Sequence, residues 1–147
     1  MVGGFFVVMI VVTLAAPAVP ALAQVLPPFD TSRIYKTEAE FSRAIEPYRQ
    51  AIAADARRAR AHYWLGFAHL FAYRQWRMGA APYAGEYLPR AAGPLEEAIK
   101  IDPAMVEAYL ALHDVYMLMG EDAKASEVMT QMLQRTRPGW LPVMPGR

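Results

Sequence analysis

The sequence predicts an all-α fold, a short stack of helix–turn–helix units, on two observations. The first is internal repetition. Ala51-Ile52-Ala53-Ala54-Asp55 returns as Ala98-Ile99-Lys100-Ile101-Asp102. Downstream, Ala61-His62-x-x-Leu65-Gly66-x-x-His69 matches Ala108-Tyr109-x-x-Leu112-His113-x-x-Tyr116, and upstream Ala44-x-x-Pro47-Tyr48 matches Ala91-x-x-Pro94-Leu95. A unit of this size cannot bury its apolar face alone, so copies must stack. The second observation is apolar residues at helical spacing, punctuated by capping, Gly and Pro signals.

Each element follows in order. Residues 24–37 contain Pro27-Pro28, lack helical periodicity and read as an extended lead-in. Thr37-x-x-Glu40 is a capping box, in which each side chain satisfies an orphan amide of the other residue. It opens a helix over 38–55, with Phe41, Ala44, Ile45, Tyr48 and Ile52 on one stripe. Pro47 lies inside it, and Pro94 at the same place in the next copy. A proline there removes one backbone bond and bends the helix, so the pair predicts a shared kink, or a restart at Pro94 after a break at Gly93. A long helix over 59–78 carries Tyr63, Trp64, Phe67, Leu70, Phe71 and Trp76; apolar on most sides, it is expected to be buried on two faces. Gly79 stops it. Residues 79–89, with Pro82, Gly85 and Pro89, read as an inserted loop. Three further helices are expected over 90–101, 103–119 (opened by Pro103) and 121–136, with Gly120 as a stop. Residues 138–147 carry Pro138, Pro142 and Pro145 and read as a tail.

The repeat resembles the tetratricopeptide (TPR) family. One copy reads Tyr109-x-x-Leu112-His113-x-x-Tyr116, then Ala125-x-x-x-Met129-x-x-Met132, with Pro138 behind. Ala98 and Met132 are 34 residues apart, the family period. The earlier copy reads His62-x-x-Leu65-Gly66-x-x-His69, then Ala91-x-x-x-Leu95-x-x-Ala98. Ala51 and Ala98 are 47 apart, so this copy is enlarged by 13 residues. The resemblance covers residues 38–137, as about two and a half units. His113 stands where the family has a small residue, and His69 where it has an aromatic.

The resemblance implies that the first helices of successive units line a concave groove. By register, the positions that face it are Arg60, Tyr63, Phe67, Leu70 and Phe71, then Glu107, Leu110, Asp114, Met117 and Leu118. Members that clamp a C-terminal carboxylate use Lys and Asn there; the apolar and acidic residues here disfavour that ligand. The expected site is an apolar, aromatic groove for a partner helix or extended peptide, with Arg60 steering an acidic group. The competing expectation is that the stripe is core, covered by the chain's own termini. Stack ends without a polar cap also allow a homo-oligomer.

Composition bounds the rest. A formal net charge of +1 gives no reason to expect nucleic acid as partner. Residues 3–16 form an apolar run too short to span a membrane comfortably, and Ala21-Leu22-Ala23 before Gln24 is a small-x-small ending. The segment reads as a signal peptide over 1–23, cut after Ala23. No Lys or Arg precedes Arg33, so an uncleaved membrane anchor is the alternative. The chain has no cysteine, which excludes disulfides and thiol chemistry. The Ala- and Arg-rich body suggests a bacterial protein, exported to the periplasm.

No cofactor, metal or catalytic function is expected. His62 and His69 lie two turns apart, too far to share an ion. His113 and Met117 are one turn apart, but two ligands do not make a site, and methionine at helical spacing is usually core. No nucleophile elbow, phosphate loop or His-Glu-x-x-His pattern occurs. Glu96-Glu97 diverge on a helix and read as solvated surface. The expected function is therefore a non-catalytic scaffold of the cell envelope that binds a protein or peptide. A small-molecule or metal-binding periplasmic protein is the alternative from another class.

Overall fold

A computed structural model describes residues 25–136. Among the described residues the chain is all-α, with helices α1 (Glu38–Ala54), α2 (Ala59–Arg77), α3 (Leu88–Ile101), α4 (Val106–Met119) and α5 (Asp122–Arg135). Successive helices pack on one another, and α4 also touches α2 directly. The apolar run expected to direct export lies outside the described residues, as does the tail over 138–147. No described helix is long and apolar enough to cross a membrane.

The capping box forms. Thr37 accepts the Glu40 N–H at 3.2 Å, and the Glu40 carboxylate reaches back to the amides of Thr37 and Lys36. Two expected starts move. The third helix begins at Leu88 with Pro89 in its first turn, and runs through Gly93-Pro94 without restarting. The fourth begins at Val106, because Pro103 belongs to a turn: the Asp102 carboxylate accepts the Ala104 N–H at 3.1 Å and the Asp102 carbonyl accepts that of Met105. The inserted segment is more than a loop. It contains a short 3₁₀ turn over Pro82–Ala84 that packs on α2.

The repeat is visible in the hydrogen bonds themselves. Asp55 makes the same turn as Asp102, accepting the Arg57 N–H on its carboxylate and the Arg58 N–H on its carbonyl. One turn into the next helix, His62 Nε2 reaches back to the Ala56 carbonyl at 2.9 Å. At the equivalent positions, Tyr109 Oη donates to the Pro103 carbonyl at 3.1 Å. Two different side chains thus lock the same interhelical turn 47 residues apart.

The apolar residues gather into two clusters that share α2. One fills the space among α2, α3, α4 and α5 around Leu95, Tyr109, Leu112 and Val115. The other is aromatic: Phe29, Tyr35, Phe41, Tyr48 and Tyr87 pack with Ile45 and Ala68. Trp64, Phe67 and Tyr73 touch both, which is why α2 is apolar on two faces.

His69 is buried in the aromatic cluster, its ring 5.5 Å from that of Phe41 and 5.4 Å from that of Tyr87. Its Nδ1 lies 2.8 Å from the Leu65 carbonyl, and a carbonyl can only accept, so the neutral ring carries its proton on Nδ1. Burial lowers its pKa below 6.5, the Leu65 bond opposes this, and Arg49 and Arg90 add to the lowering. Between the folded value and 6.5 the unfolded chain holds the extra proton, so stability falls as pH falls through that window. Thermal melts between pH 7 and 5.5 should show this slope in the wild type and a flatter one in His69→Gln; equal slopes would exclude His69 as the cause.

Candidate functional site: the α2–α4 groove and the lead-in

Helices α2 and α4 run side by side as the repeat register requires. Arg60, Tyr63, Phe67, Phe71 and Arg74 recur at helical spacing on α2, and Glu107, Leu110, Asp114 and Met117 on α4. Ion pairs join the two rows, Arg60 to Glu107 at 3.1 Å and Arg74 to Asp114 at 2.7 Å. All four side chains are about half exposed, so each pair contributes little stability. Their effect is on charge. Arg60, expected to steer an acidic partner, has its own counter-ion across the groove.

The expected groove residues divide into three groups. Leu70 is core, 1% exposed, and cannot meet a ligand. Tyr63 is also buried, with burial the main cause of its raised pKa and Glu107 the next. Phe67 and Phe71 are half-buried, their rings 6.5 Å apart and nearly parallel. Leu110 and Met117 are the open apolar positions, 47% and 49% exposed, and Val106 extends their line at 38%. Of the two sides expected to line a groove, the α2 side is a half-covered aromatic row and the α4 side an open aliphatic one.

The cover over α2 is the lead-in, which is ordered against the helix by named bonds. Gln75, only 2% exposed, accepts the Tyr35 N–H at 3.1 Å and donates to the Arg33 carbonyl at 2.7 Å. Tyr83 Oη donates to the Tyr35 carbonyl at 3.0 Å, and Tyr48 Oη to that of Pro27 at 3.1 Å. The Phe29 ring packs edge-on against Phe71 at 5.7 Å. Among the described residues, the lead-in covers Phe71 and leaves Leu110 and Met117 open. It was Gln75 that the sequence reading missed; its only signal is an uncharged amide between Tyr73 and Trp76 in a helix expected to be buried on two faces.

Glu96 is more than solvated surface. It accepts a short hydrogen bond from the buried Tyr116 hydroxyl, which links α3 to α4 and pushes the phenol pKa up, burial being the larger cause. Among the described residues no three His, Asp or Glu side chains gather to hold a metal. His113 Nδ1 lies 3.6 Å from the Asp114 carboxylate, which already holds Arg74. No protein-family model matches the chain, and no curated protein matches it.

Proposed function

We propose that this chain is a non-catalytic, TPR-like binding scaffold, exported to the bacterial cell envelope, that takes an apolar helix or extended segment of a partner protein in the α2–α4 groove. The observation that carries this reading is the line of Val106, Leu110 and Met117. These side chains stand open on the helix face whose Glu107 and Asp114 are tied to α2. Aliphatic side chains on the α4 face that the Arg60–Glu107 and Arg74–Asp114 pairs join to the aromatic row of α2, with Leu110 between the two pairs, suit an apolar ligand segment. Export rests on the apolar run and the Ala21-Leu22-Ala23 ending, and an intact mass beginning at Gln24 would support it; a mass retaining residues 1–23 would instead indicate an anchor.

Binding is tested by isolating the partner with the full chain from an envelope fraction and titrating it against variants. Phe67→Ala or Leu110→Asp should weaken it by about 2 kcal/mol, roughly thirtyfold. Leu110 is open to solvent, so its substitution should leave the fold intact. Glu46→Ala, on the exposed side of α1, should change nothing. If both groove variants fold and bind as tightly as wild type, the partner sits elsewhere.

A further inference from the structure

Toward the start of α2 the lead-in and the helix border an open cleft of about 590 Å³. Its wall on the α2 side is Tyr63, Trp64 and Phe67; the lead-in supplies Phe29, Asp30 and Ser32. The three α2 rings form a cluster, with Tyr63 and Trp64 centroids 4.7 Å apart, Tyr63 and Phe67 5.9 Å, and Trp64 and Phe67 5.8 Å at 83°. All three rings line the cleft. An aromatic face is negative, and attracts a cation that comes within reach of it.

Asp30 adds a formal charge at the rim. Its Oδ1 accepts two hydrogen bonds from Ser32, from the N–H at 3.0 Å and from the hydroxyl at 2.6 Å, which fix the carboxylate in place. Those bonds, the hydroxyl first, hold its pKa below the usual carboxylate value, so it is ionised at neutral pH. No lysine or arginine lines the pocket. Arg60 faces Glu107 across the two helices, and Arg33, which lies over the Tyr35 ring at 5.8 Å, is near enough to Asp30 to add a small further lowering of its pKa. A cleft lined by aromatic rings and one carboxylate, with no lysine or arginine among its lining residues, is complementary to an organic cation even with Arg33 near the rim.

We propose that this cleft seats a basic side chain of the partner segment, a lysine ammonium or arginine guanidinium, between the half-buried Trp64 and Phe67 rings, backed by the buried Tyr63, and the Asp30 carboxylate. The proposal rests on the groove reading and adds its charge preference. The preferred partner segment carries a basic residue beside its apolar stripe, the opposite of what Arg60 suggested in the sequence.

The test needs no identified partner. N-acetyl-lysinamide is titrated into the ¹⁵N-labelled full chain, with N-acetyl-norleucinamide as the uncharged control of similar length. The readout is the Trp64 indole N–H, assigned with Trp64→Leu, with Trp76 outside the pocket as internal reference. Lysinamide should move the Trp64 signal saturably, at least about fivefold more tightly than norleucinamide, and Asp30→Asn should weaken it by about fivefold. Asp30 is exposed, so that variant should keep the fold, which its circular dichroism checks. Equal affinity for norleucinamide, no loss in Asp30→Asn, or an unmoved Trp64 signal would each overturn the cation seat. Leu110→Asp separates the two readings: it should leave lysinamide binding unchanged while weakening the partner. If the lysinamide titration fails and Leu110→Asp still weakens the partner, the cation seat falls and the groove stands.

Discussion

Gly66→Val should lower the stability of the chain by about 3 kcal/mol, the upper part of the range for overpacking a close contact. Gly66 is buried in the middle of α2, where that helix meets α3. A Cβ placed there would lie 2.6 Å from Leu95 Cγ and 2.9 Å from the Ala91 carbonyl oxygen. Neither neighbour yields easily. Leu95 is fully buried, and the Ala91 oxygen is part of the α3 backbone. Even one methyl group must push the helices apart; valine adds two more carbons. Replacing a mid-helix glycine gains a few tenths of a kcal/mol in helix propensity, too little to offset this. Ala91→Leu enters the same seam from the other side and should cost about 1–3 kcal/mol. The two changes share one contact, so their combined cost should fall short of the sum. Urea midpoints measure all three. Gly66→Val with an unchanged midpoint would mean that the α2–α3 seam is wider than described.

That seam was legible because close approach leaves a residue-type signature. Ala91 and Ala98 repeat as Ala44 and Ala51, small residues at equivalent positions, while Gly66 has His113 as its counterpart and is small in one copy alone. The helices were legible for a similar reason: the capping box, Gly79 and Gly120 are local signals, and local signals set ends. The lead-in was legible as non-helical, but its packing was not. Phe29 and Tyr35 have no helical or strand spacing, and their anchor, Gln75, is a polar residue whose partners are backbone groups 40 and 42 residues away. Nothing periodic connects such groups. The expected groove residues do not share one environment, because register assigns faces for an ideal repeat. Here the lead-in packs over Phe71, the core absorbs Leu70, and Glu107 supplies the counter-ion of Arg60. His69 shows the same limit from the other side. In the family's pattern an aromatic stands at that position, and here a neutral imidazole ring packs between the Phe41 and Tyr87 rings in its place.

Phe41→Ala should be the most damaging truncation, at about 3–5 kcal/mol. Phe41 is 1% exposed and its ring meets five others: Phe29, Tyr35, His69, Tyr83 and Tyr87, with centroids 5.2–6.4 Å away. Those five come from the lead-in, α2 and the inserted segment, so one side chain on α1 ties three other parts of the chain together. Alanine would leave a void that the surrounding rings, each braced by the next, cannot close. The loss should be local. Phe41 belongs to the aromatic cluster, whereas α4 and α5 pack in the other one, and a stacked array passes stability only between neighbours. Hydrogen exchange should therefore show α1 amides losing protection first, with α4 and α5 amides keeping theirs. Equal loss in all helices would show that the two clusters fold as one unit. The variant also separates the two binding features. The Val106–Leu110–Met117 wall needs only α4 and its packing on α2 and α3, so it should survive. The Asp30 wall is held by a lead-in that packs on Phe41. Lysinamide binding should then weaken sharply in conditions where α4 remains protected.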